Sequence, residues 1–404
     1  MKYGFACAGV VALAAISAAF AASPVPDSPL GCPPSKTLTI NPARDAELVL
    51  AGGPALEPVQ IAGPFDSPRS AAFLADGRFL VAERPGRLQL VTPGAPNREI
   101  AGVPAVLTLG HGGLIDLALD PEFAANGTIY FSYLQGDEAA STIRVMKARL
   151  DQHNDKLTDQ KIIFESTPGV RHEQLGGRMA LTADGYLFLS VGDRWAMEQA
   201  QSLADDLGAI VRIRTDGSIP DDNPFISTPG ARPEIWSYGH RNPQGLAFDP
   251  VKRRLWSDEH GPQGGDELNL VVAGLNYGWP IITYGVDYSG RPIGTGNSQA
   301  GLEQPVRTWV PISIAPSGLA IQADPTHEVL WISTLGGQML VKLTVGEDCA
   351  LSEEHFLKDR LGRLRDVRID QAGALYVLTD GSEGMLYRLD RISGGSDIQP
   401  RAHL

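Results

Sequence analysis

Three arginines stand directly before stretches that are typical of β-strands, and together they suggest a site for an anion. Arg241 lies in SYGHRNPQGLAF, where it follows His240 and precedes Asn242. Arg363 and Arg365 lie two residues apart in LGRLRDV. A guanidinium is a rigid fork of donors that matches a carboxylate, and residues two apart in a strand share one face. The pattern predicts a polyanionic small ligand in a central cavity; salt bridges on the surface or between repeats are the structural alternative.

A second group of residues could bind a hard cation. The segment DEHGPQGGDELNLVVAGLNYGWP carries four carboxylates around its glycines: Asp258, Glu259, Asp266 and Glu267. Calcium prefers several oxygen ligands, including backbone carbonyls, from a flexible loop of this kind. The spacing is not that of an EF-hand, so a solvated acidic loop is the alternative. The chain shows no glycine-rich phosphate loop, no Gly-x-Ser-x-Gly motif and no histidine pair at zinc-ligand spacing.

The elements that must position these groups are six repeated hairpins. Each repeat has an apolar strand, a turn with an aspartate and a second apolar strand, as in SAAFLADGRFLVAE and MALTADGYLFLSVGD. The turn aspartates are Asp76, Asp120, Asp184, Asp249, Asp324 and Asp370. Such regular repetition predicts an all-β fold, a six-bladed β-propeller with long inter-strand loops around a central site. The arginines and the acidic segment fall in the insertions between repeats, where a rigid scaffold carries functional groups.

The composition agrees with a turn-rich β protein and excludes some partners. The 404 residues include 45 Gly and 30 Pro, and 43% of them are hydrophobic. The formal net charge of -13 argues against nucleic acid and anionic membrane surfaces as partners.

The first residues are typical of an export signal. Lys2 supplies a positive charge, an apolar run extends from Val10 to Phe20, and Ala19-Phe20-Ala21 offers a cleavage site. We therefore interpret residues 1–21 as a signal peptide, with an N-terminal membrane anchor as the alternative. The prediction is a periplasmic or secreted protein with no stable membrane insertion after cleavage.

The remaining chain divides into an N-terminal linker segment (22–45), the propeller (46–395) and a C-terminal tail (396–404). Cys32 and Cys349 remain after signal removal, and in an oxidising compartment they could form a disulfide or stay as free thiols.

From Ser70 to Asp390 the chain resembles the glucose/sorbosone dehydrogenase family, the soluble aldose sugar dehydrogenases that depend on pyrroloquinoline quinone (PQQ). The motifs that carry the resemblance are GHRNPQGLAF, EHGPQGGDELN, NYGWP, GRLRDV and LYVLTD, in this order, with GHGGLIDLALDPEF before them. The resemblance implies a six-bladed propeller that binds PQQ and Ca²⁺.

The resemblance also implies roles for the arginines. Arg241 and Asn242 match residues that contact the quinone, and Arg363 and Arg365 match those that hold the cofactor's carboxylates. Arg241 would in addition stabilise the charge that develops on a quinone oxygen during the reaction.

For calcium, the resemblance assigns backbone carbonyls and one side chain. Gly261 and Pro262 match carbonyl donors to a calcium ion that also binds the quinone. Glu267 and the backbone of Tyr277 match the ligands of a further calcium ion. These assignments agree with the preference of hard cations for oxygen.

The general base is where this chain departs from the family pattern. A catalytic histidine usually lies four residues before the arginine of the GGR motif, and that position here is Gln174, whose amide accepts no proton at neutral pH. His172 lies two residues earlier and is the predicted base, with Asp193 as its orienting carboxylate. His111 stands near the quinone where the family commonly has glutamine, and it is the second candidate for the base.

The predicted function is oxidation of aldose sugars at the anomeric carbon to lactones, with electrons passed to an external acceptor that the sequence does not identify. One alternative is a propeller that binds PQQ, a sugar or a protein without catalysis, which the glutamine at position 174 favours. A calcium-dependent lactonase is the third possibility, and it would have no use for Arg363 and Arg365.

Overall fold

Each of the six predicted aspartate turns joins two antiparallel strands in the computed structural model. The structure describes residues 56–322, 324, 326–346 and 351–391. In five of the turns the aspartate Oδ1 accepts a hydrogen bond from the backbone N–H two residues on, at 2.8–3.2 Å; these are Asp76, Asp120, Asp249, Asp324 and Asp370. This local bond explains why aspartate recurs there, because it satisfies a donor that the tight turn leaves free.

The strands form six four-stranded antiparallel sheets, the blades of a propeller. After β1 (Leu56–Phe65), the first three blades contain β2 (Pro68–Phe73), β3 (Phe79–Glu83), β4 (Arg87–Val91) and β5 (Arg98–Glu99); β6 (Leu114–Leu119), β7 (Thr128–Gly136), β8 (Ser141–Asp151) and β9 (Lys156–Glu165); and β10 (Gly176–Leu181), β11 (Tyr186–Val191), β12 (Ala209–Arg214) and β13 (Ile235–Tyr238).

The last three blades follow the same plan. Their strands are β14 (Pro243–Asp249), β15 (Arg254–Glu259), β16 (Asp266–Val271) and β17 (Arg307–Trp309); β18 (Pro316–Gln322), β19 (Glu328–Thr334), β20 (Leu340–Val345) and β21 (Leu351–Phe356); and β22 (Leu364–Ile369), β23 (Leu375–Thr379) and β24 (Gly384–Arg391). A short helix α1 (Phe123–Asn126) and a 3-10 helix (Met197–Gln201) lie in the connections.

The ring closes through its first strand. β1 pairs antiparallel with β24, from Leu56 opposite Arg391 to Phe65 opposite Gly384, and so becomes the outer strand of the sixth blade. This pairing covers an edge that β24 would otherwise expose. The predicted six-bladed propeller is thus confirmed.

The hydrophobic core is divided among the faces between blades. Six buried clusters, one for each pair of adjacent blades, fill these faces. Trp256, for example, is fully buried between the fourth and fifth blades. Because each strand alternates its side chains between two such faces, nearly continuous apolar runs such as YLFLSV in β11 suit strands in the middle of a blade.

All six inner strands (β2, β6, β10, β14, β18 and β22) contain a β-bulge near their start. The register with the second strand of each blade shifts between the first and the third residue of the inner strand, or between the first and the fourth in β10. The residues within the bulges are Arg69, Ile115, Gly177 with Arg178, Gln244, Ser317 and Arg365. A bulge removes a residue from the ladder, so its carbonyl needs another partner.

Arg178 supplies that partner from within its own bulge. Its guanidinium donates to backbone carbonyls of the bulges in four other blades: Gln244 at 2.8 Å, Ser317 at 2.6 Å, Arg365 at 3.2 Å and Arg69 at 3.4 Å. It also lies 3.4 Å from the carboxylates of Asp116 in β6 and Asp366 in β22. One side chain therefore joins the inner strands of all six blades on the propeller axis.

The predictions for the two termini lie outside the described residues. These are the signal peptide (1–21), the linker segment (22–45), the C-terminal tail (396–404) and the cysteine pair Cys32 and Cys349. Among the described residues, the structure contains no helix with the length and apolar character needed to cross a membrane.

Replacement of Arg178 should destabilise the propeller strongly. In Arg178→Met, four bulge carbonyls and two buried carboxylates lose a donor, and we expect the free energy of unfolding to fall by about 3–5 kcal/mol. Denaturant unfolding of the cofactor-free protein measures this change. As a matched control, Arg253→Met removes an exposed ion pair with Asp184 and should change stability by less than about 1 kcal/mol. If the two substitutions lowered the free energy of unfolding equally, Arg178 would stabilise the propeller no more than an exposed arginine does.

Candidate active site

The guanidinium of Arg241 is the centre of the candidate site. Arg241 lies in the connection between β13 and β14 and is buried. Its backbone N–H donates to the Glu259 carboxylate at 2.7 Å, and Nη1 donates to the carbonyls of Gly261 at 2.6 Å and His260 at 3.1 Å. Since backbone and side chain are both held, the positive charge occupies a fixed position facing the predicted calcium-binding loop.

Asn242 is buried next to Arg241 in the same connection. Its Oδ1 accepts a hydrogen bond from Gln244 Nε2 at 2.9 Å, and its backbone N–H points to Glu259 Oε2 at 3.4 Å. The structure therefore places Asn242 between the Arg241 loop and the bulge at Gln244.

Gln174 bridges Asp193 and Arg241. In the amide orientation that satisfies both neighbours, Nε2 donates to Asp193 Oδ1 and Oε1 accepts from Arg241 Nη2 at 2.8 Å. Gln174 is buried and adopts a φ of +51°, a conformation that non-glycine residues rarely take. The structure thus brings Gln174, Asp193 and Arg241 together as one hydrogen-bonded unit.

Asp193 organises the side chains around Arg241. Its Oδ1 also accepts the Trp195 backbone N–H at 3.0 Å, and its Oδ2 accepts Trp279 Nε1 at 2.8 Å. Burial raises the pKa of Asp193 to about 6, against the opposing charge of Arg241. Because both oxygens already accept donors, the carboxylate is suited to orienting its neighbours. The Trp279 ring lies 5.3 Å from the Arg241 guanidinium carbon and forms one wall of its pocket.

The hydrogen bonds of the His172 ring lie away from Gln174, Asp193 and Arg241. Nδ1 lies 3.0 Å from Ser141 Oγ, and Nε2 lies 3.3 Å from the carbonyl of Glu138. Ser141 Oγ in turn accepts a hydrogen bond from Arg194 at 2.7 Å. In the described part of the chain, no hydrogen bond joins His172 to Gln174, Asp193 or Arg241, so its ring must turn before it can act as the predicted base.

His111 lies beside His172 on an exposed rim. The backbone N–H of His111 donates to the His172 carbonyl at 2.7 Å, and the His111 carbonyl accepts from Arg69 Nη2 at 3.2 Å. Partial desolvation and the charge of Arg69 lower the pKa of the His111 imidazole. The ring is therefore held largely neutral by its surroundings, next to a cluster of arginines.

The predicted arginine pair shares a single carboxylate. Arg363 Nε donates to Asp380 Oδ2 and Arg365 Nε to Oδ1, each at 3.0 Å. Only about a tenth of the Arg365 side chain is exposed, compared with half of Arg363. Two guanidinium groups thus face one counter-charge, which makes the salt-bridge alternative correct in part and leaves positive charge in excess.

Arg69 adds to this excess and was missed by the sequence analysis. It is the second residue of β2, as Arg365 is of β22, so both lie in equivalent bulges. Its Nε is buried without a hydrogen-bond partner among the described residues. Burial and the charges of Arg365 and Arg84 lower its pKa well below the usual range for arginine. The equivalent positions in the first and sixth repeats were the signal that could have identified Arg69.

The acidic segment is buried, so the solvated-loop alternative is wrong. Asp258 and Glu259 end β15, Asp266 and Glu267 begin β16, and all but Glu267 are almost completely shielded from solvent. Burial and the neighbouring Glu259 raise the pKa of Glu267 to about 8. The carboxylates crowd together with few cations, which is an arrangement that a bound metal ion would relieve.

The residues predicted to bind calcium lie around this acidic segment. Gly261 donates its N–H to Asp266 Oδ1 at 2.9 Å and presents its carbonyl to Arg241. Pro262 packs beside Gly285, and the Tyr277 backbone N–H donates to the Tyr238 carbonyl at 2.8 Å. No group of three or more acidic, histidine or cysteine side chains among the described residues is placed to hold a metal. Backbone carbonyl oxygens are therefore the main oxygen donors near this segment, and Glu267 is the one carboxylate predicted to add to them.

Asp258 has the most unusual environment of the four carboxylates. It is fully buried, and neither of its oxygens has a hydrogen-bond partner among the described residues. Gly245 makes room for it, because a Cβ at that position would lie 2.2 Å from Asp258 Oδ2. Burial, opposed by the charge of Arg178 and reinforced by Asp266, raises the pKa of Asp258 to about 8. The carboxyl group is therefore protonated at neutral pH.

The chain matches a known protein family over most of its length. The family model described as glucose/sorbosone dehydrogenase matches residues 65–388. Aldose sugar dehydrogenase YliI of Escherichia coli is 40% identical over 334 residues, which cover 80% of this chain and 90% of that protein.

Two solved structures extend the comparison to three dimensions. The soluble aldose sugar dehydrogenase of Escherichia coli in its apo form superimposes with a TM-score of 0.79 at 38% identity, covering 84% of this chain and 100% of that one. The PQQ-bound aldose sugar dehydrogenase of Streptomyces coelicolor gives a TM-score of 0.69 at 29% identity, covering 84% and 99% of the two chains.

The unpaired Asp258 leads to a prediction about pH. Its pKa is about 8 in the folded protein and near 3.8 in the unfolded chain, so between these values the folded protein holds one proton more. Stability should therefore fall as pH rises through this window, by up to about 1.4 kcal/mol per pH unit from this group, and level off above about pH 8. Asp258→Asn removes this titration.

Denaturant unfolding between pH 5 and 9 of wild type and Asp258→Asn measures the contribution of Asp258. The stability difference between the two proteins should shift steadily in favour of the variant up to about pH 8. A difference that does not change with pH would mean that Asp258 ionises normally.

Proposed function

The chain belongs to the glucose/sorbosone dehydrogenase family, and we propose that it oxidises aldose sugars at the anomeric carbon to lactones with PQQ and Ca²⁺ as cofactors. Electrons would then pass to an external acceptor. The observation that carries the proposal is the excess of guanidinium groups around the buried, unpaired Nε of Arg69. A ligand with several carboxylates, such as PQQ, would neutralise this charge.

The arginine cluster fits the anionic side of the cofactor. Arg365 and Arg363 share only Asp380, and Arg69 has no carboxylate of its own among the described residues. Charge-assisted hydrogen bonds from these groups to carboxylates are roughly twice as strong as neutral ones. We infer that Arg69, Arg363 and Arg365 hold the carboxylates, with His111 and Gln174 at the edges of the same pocket.

The acidic segment fits the cation. Carbonyl oxygens of Gly261 and Pro262 would bind the calcium ion next to the quinone, and Glu267 with the Tyr277 backbone would bind a further one. When bound, the quinone supplies a carbonyl carbon that accepts a hydride, and calcium polarises that carbonyl as a Lewis acid. Arg241 Nη1 donates to the Gly261 carbonyl at 2.6 Å, so the ion and the guanidinium would share this loop.

Arg241 would stabilise the negative charge that develops during the reaction. Its position is fixed by Glu259, Gln174 and Gly261 before any ligand arrives. A donor that is already oriented stabilises developing charge without a cost in reorganisation at the moment of reaction. Asp193 would act through its neighbours, by holding Gln174 and Trp279 against Arg241.

The proton of the sugar hydroxyl needs an acceptor, which we propose to be His172. Gln174 occupies the position beside Arg241 and Asp193, and an amide does not accept a proton at neutral pH. His172 would have to leave Ser141 and Glu138 to reach the substrate. His111, which lies on the same rim, is the second candidate for the acceptor.

One observation favours a different function, a propeller that binds PQQ or a sugar without oxidising it. Gln174 bridges Asp193 and Arg241, and the His172 ring contacts Ser141 and the Glu138 carbonyl instead. A lactonase is a poorer match, because the arginine cluster would then have no ligand.

A location outside the cytoplasm is part of the proposal. The signal-like residues 1–21 support periplasmic or secreted localisation, where the sugar substrate would be directly available. The acidic net charge supports neither nucleic acid nor an anionic membrane surface as a partner.

Reconstitution tests the cofactor assignment. Purified protein mixed with PQQ and Ca²⁺ should reduce a dye in the presence of aldoses, and neither cofactor alone should suffice. Arg365→Met should weaken PQQ binding about 10- to 100-fold, since it removes charged hydrogen bonds worth about 1.5–3 kcal/mol. Arg78→Met, at the aspartate-turn end of the first blade, is the matched control and should bind PQQ normally. Absence of PQQ binding to the wild type would overturn the cofactor assignment.

Three variants test the proton acceptor. His172→Ala should lower turnover by about 10²-fold or more, the usual contribution of a general base, whereas His111→Ala should have a smaller effect. Gln174→His, which places an imidazole next to Asp193, should then raise turnover little. If neither alanine substitution matters and Gln174→His alone creates activity, the non-catalytic reading is correct.

A further inference from the structure

The exposed aromatic side chains of the described residues are concentrated at one place. Of all phenylalanines, tyrosines and tryptophans in that part of the chain, only Trp195 and Tyr288 are classed as exposed, with relative exposures of 45% and 61%. They come from different connections, one after β11 and one between β16 and β17, yet their ring centroids lie 6.0 Å apart. Two solvent-facing rings brought together from distant segments suggest a surface for binding.

This aromatic pair lies over Arg241. Tyr288 Oη accepts a contact from Arg241 Nη2 at 3.4 Å, and the Trp195 ring centroid lies 5.9 Å from the guanidinium carbon. The third aromatic neighbour, Trp279, is buried and packs against the same guanidinium. The exposed pair therefore forms the solvent-facing wall of the Arg241 pocket.

Trp195 is held in place by a strained but well-supported backbone. Arg194 and Trp195 have φ values of +53° and +64°, two consecutive non-glycine residues in the left-handed region. Such strain persists only where surrounding contacts fix the chain. The Arg194 side chain is buried and donates to Ser141 Oγ at 2.7 Å and to the Arg171 carbonyl at 2.6 Å, while Asp193 accepts the Trp195 N–H. The backbone that carries the exposed indole is thus fixed.

We propose that Trp195 and Tyr288 form the sugar-binding wall of the site, on which the apolar C–H face of the pyranose ring stacks. This inference rests on the proposed oxidation of aldoses. A sugar is uncharged, and its ring offers one face of C–H groups and a rim of hydroxyls, which match an aromatic face with a polar tip. The Tyr288 hydroxyl and the Arg241 guanidinium would form hydrogen bonds with sugar hydroxyl groups at the reducing end.

The geometry indicates a single wall. At 6.0 Å and an interplanar angle of 46°, the two rings contact each other at a tilt, which leaves no space for a sugar between them. The pyranose would therefore lie across both rings, with its opposite face toward the remaining groups of the site. Loss of either ring should weaken sugar binding and leave PQQ binding intact.

Steady-state kinetics of the reconstituted enzyme with D-glucose test this proposal. Trp195→Ala and Tyr288→Ala should each raise KM about 10-fold with kcat changed less than about threefold, and with unaltered affinity for PQQ. Trp195→Phe, which keeps an aromatic face, should restore most of the lost affinity. Val251→Ala, at an exposed aspartate turn, serves as the matched control. An unchanged KM in both alanine variants overturns the proposal, as does equal loss in Trp195→Phe and Trp195→Ala.

Binding of a sugar that cannot be oxidised separates this inference from the proposed function. Isothermal titration of the PQQ- and calcium-loaded protein with methyl α-D-glucopyranoside reports stacking without turnover. Binding that depends on Trp195 and Tyr288, in a wild type that reduces no dye, supports the aromatic wall while the dehydrogenase proposal fails. If the wild type oxidises glucose but neither substitution changes glycoside binding, the dehydrogenase proposal is supported and the aromatic wall is overturned.

Discussion

The hydrogen bonds that Arg178 donates along the propeller axis are the constraint on which the rest of the structure depends. Each inner strand begins with a bulge, and a bulge frees a backbone carbonyl from its ladder. Four of these carbonyls, from Arg69, Gln244, Ser317 and Arg365, converge on one guanidinium. Since Arg69 and Arg365 themselves lie within these bulges, the feature that joins the blades also positions two arginines of the proposed cofactor site.

The basic and the acidic side chains of the candidate site lie on opposite sides, and each group lacks enough partners of the opposite charge. Arginines dominate one side, where Nε of Arg69 has no hydrogen-bond partner among the described residues. Buried acidic side chains dominate the other, where burial raises the pKa values of Asp258 and Glu267 to about 8, and a nearby cation would favour their ionised forms. A dication next to a polyanion would compensate both sides at once. Each ligand would improve the binding of the other, because each removes a repulsion that the other meets.

The sequence contained enough information for the fold and for part of the site. The aspartate turns predicted the six hairpins because a turn and its flanking strands are local features. The spacing of Arg363 and Arg365 predicted for the same reason that the two side chains lie together, and they share the carboxylate of Asp380. The contacts of Gln174 with Asp193 and Arg241, the burial of the acidic segment and the meeting of Trp195 with Tyr288 were not predictable, because they depend on how distant loops pack. The β-bulges were not predictable either, because a shift in strand register hardly changes the pattern of apolar residues.

The pairing of β1 with β24 has a consequence for how the protein is made. The strand that begins the described chain pairs with the strand that ends it, so the ring remains open until all six blades have been synthesised. Contacts between such distant segments form slowly, because a long loop must close before they provide any stabilisation. A nascent chain of this kind stays without its final blade while it emerges. That delay would suit the export that we propose for this chain, because a translocation channel accepts a polypeptide that has not yet folded.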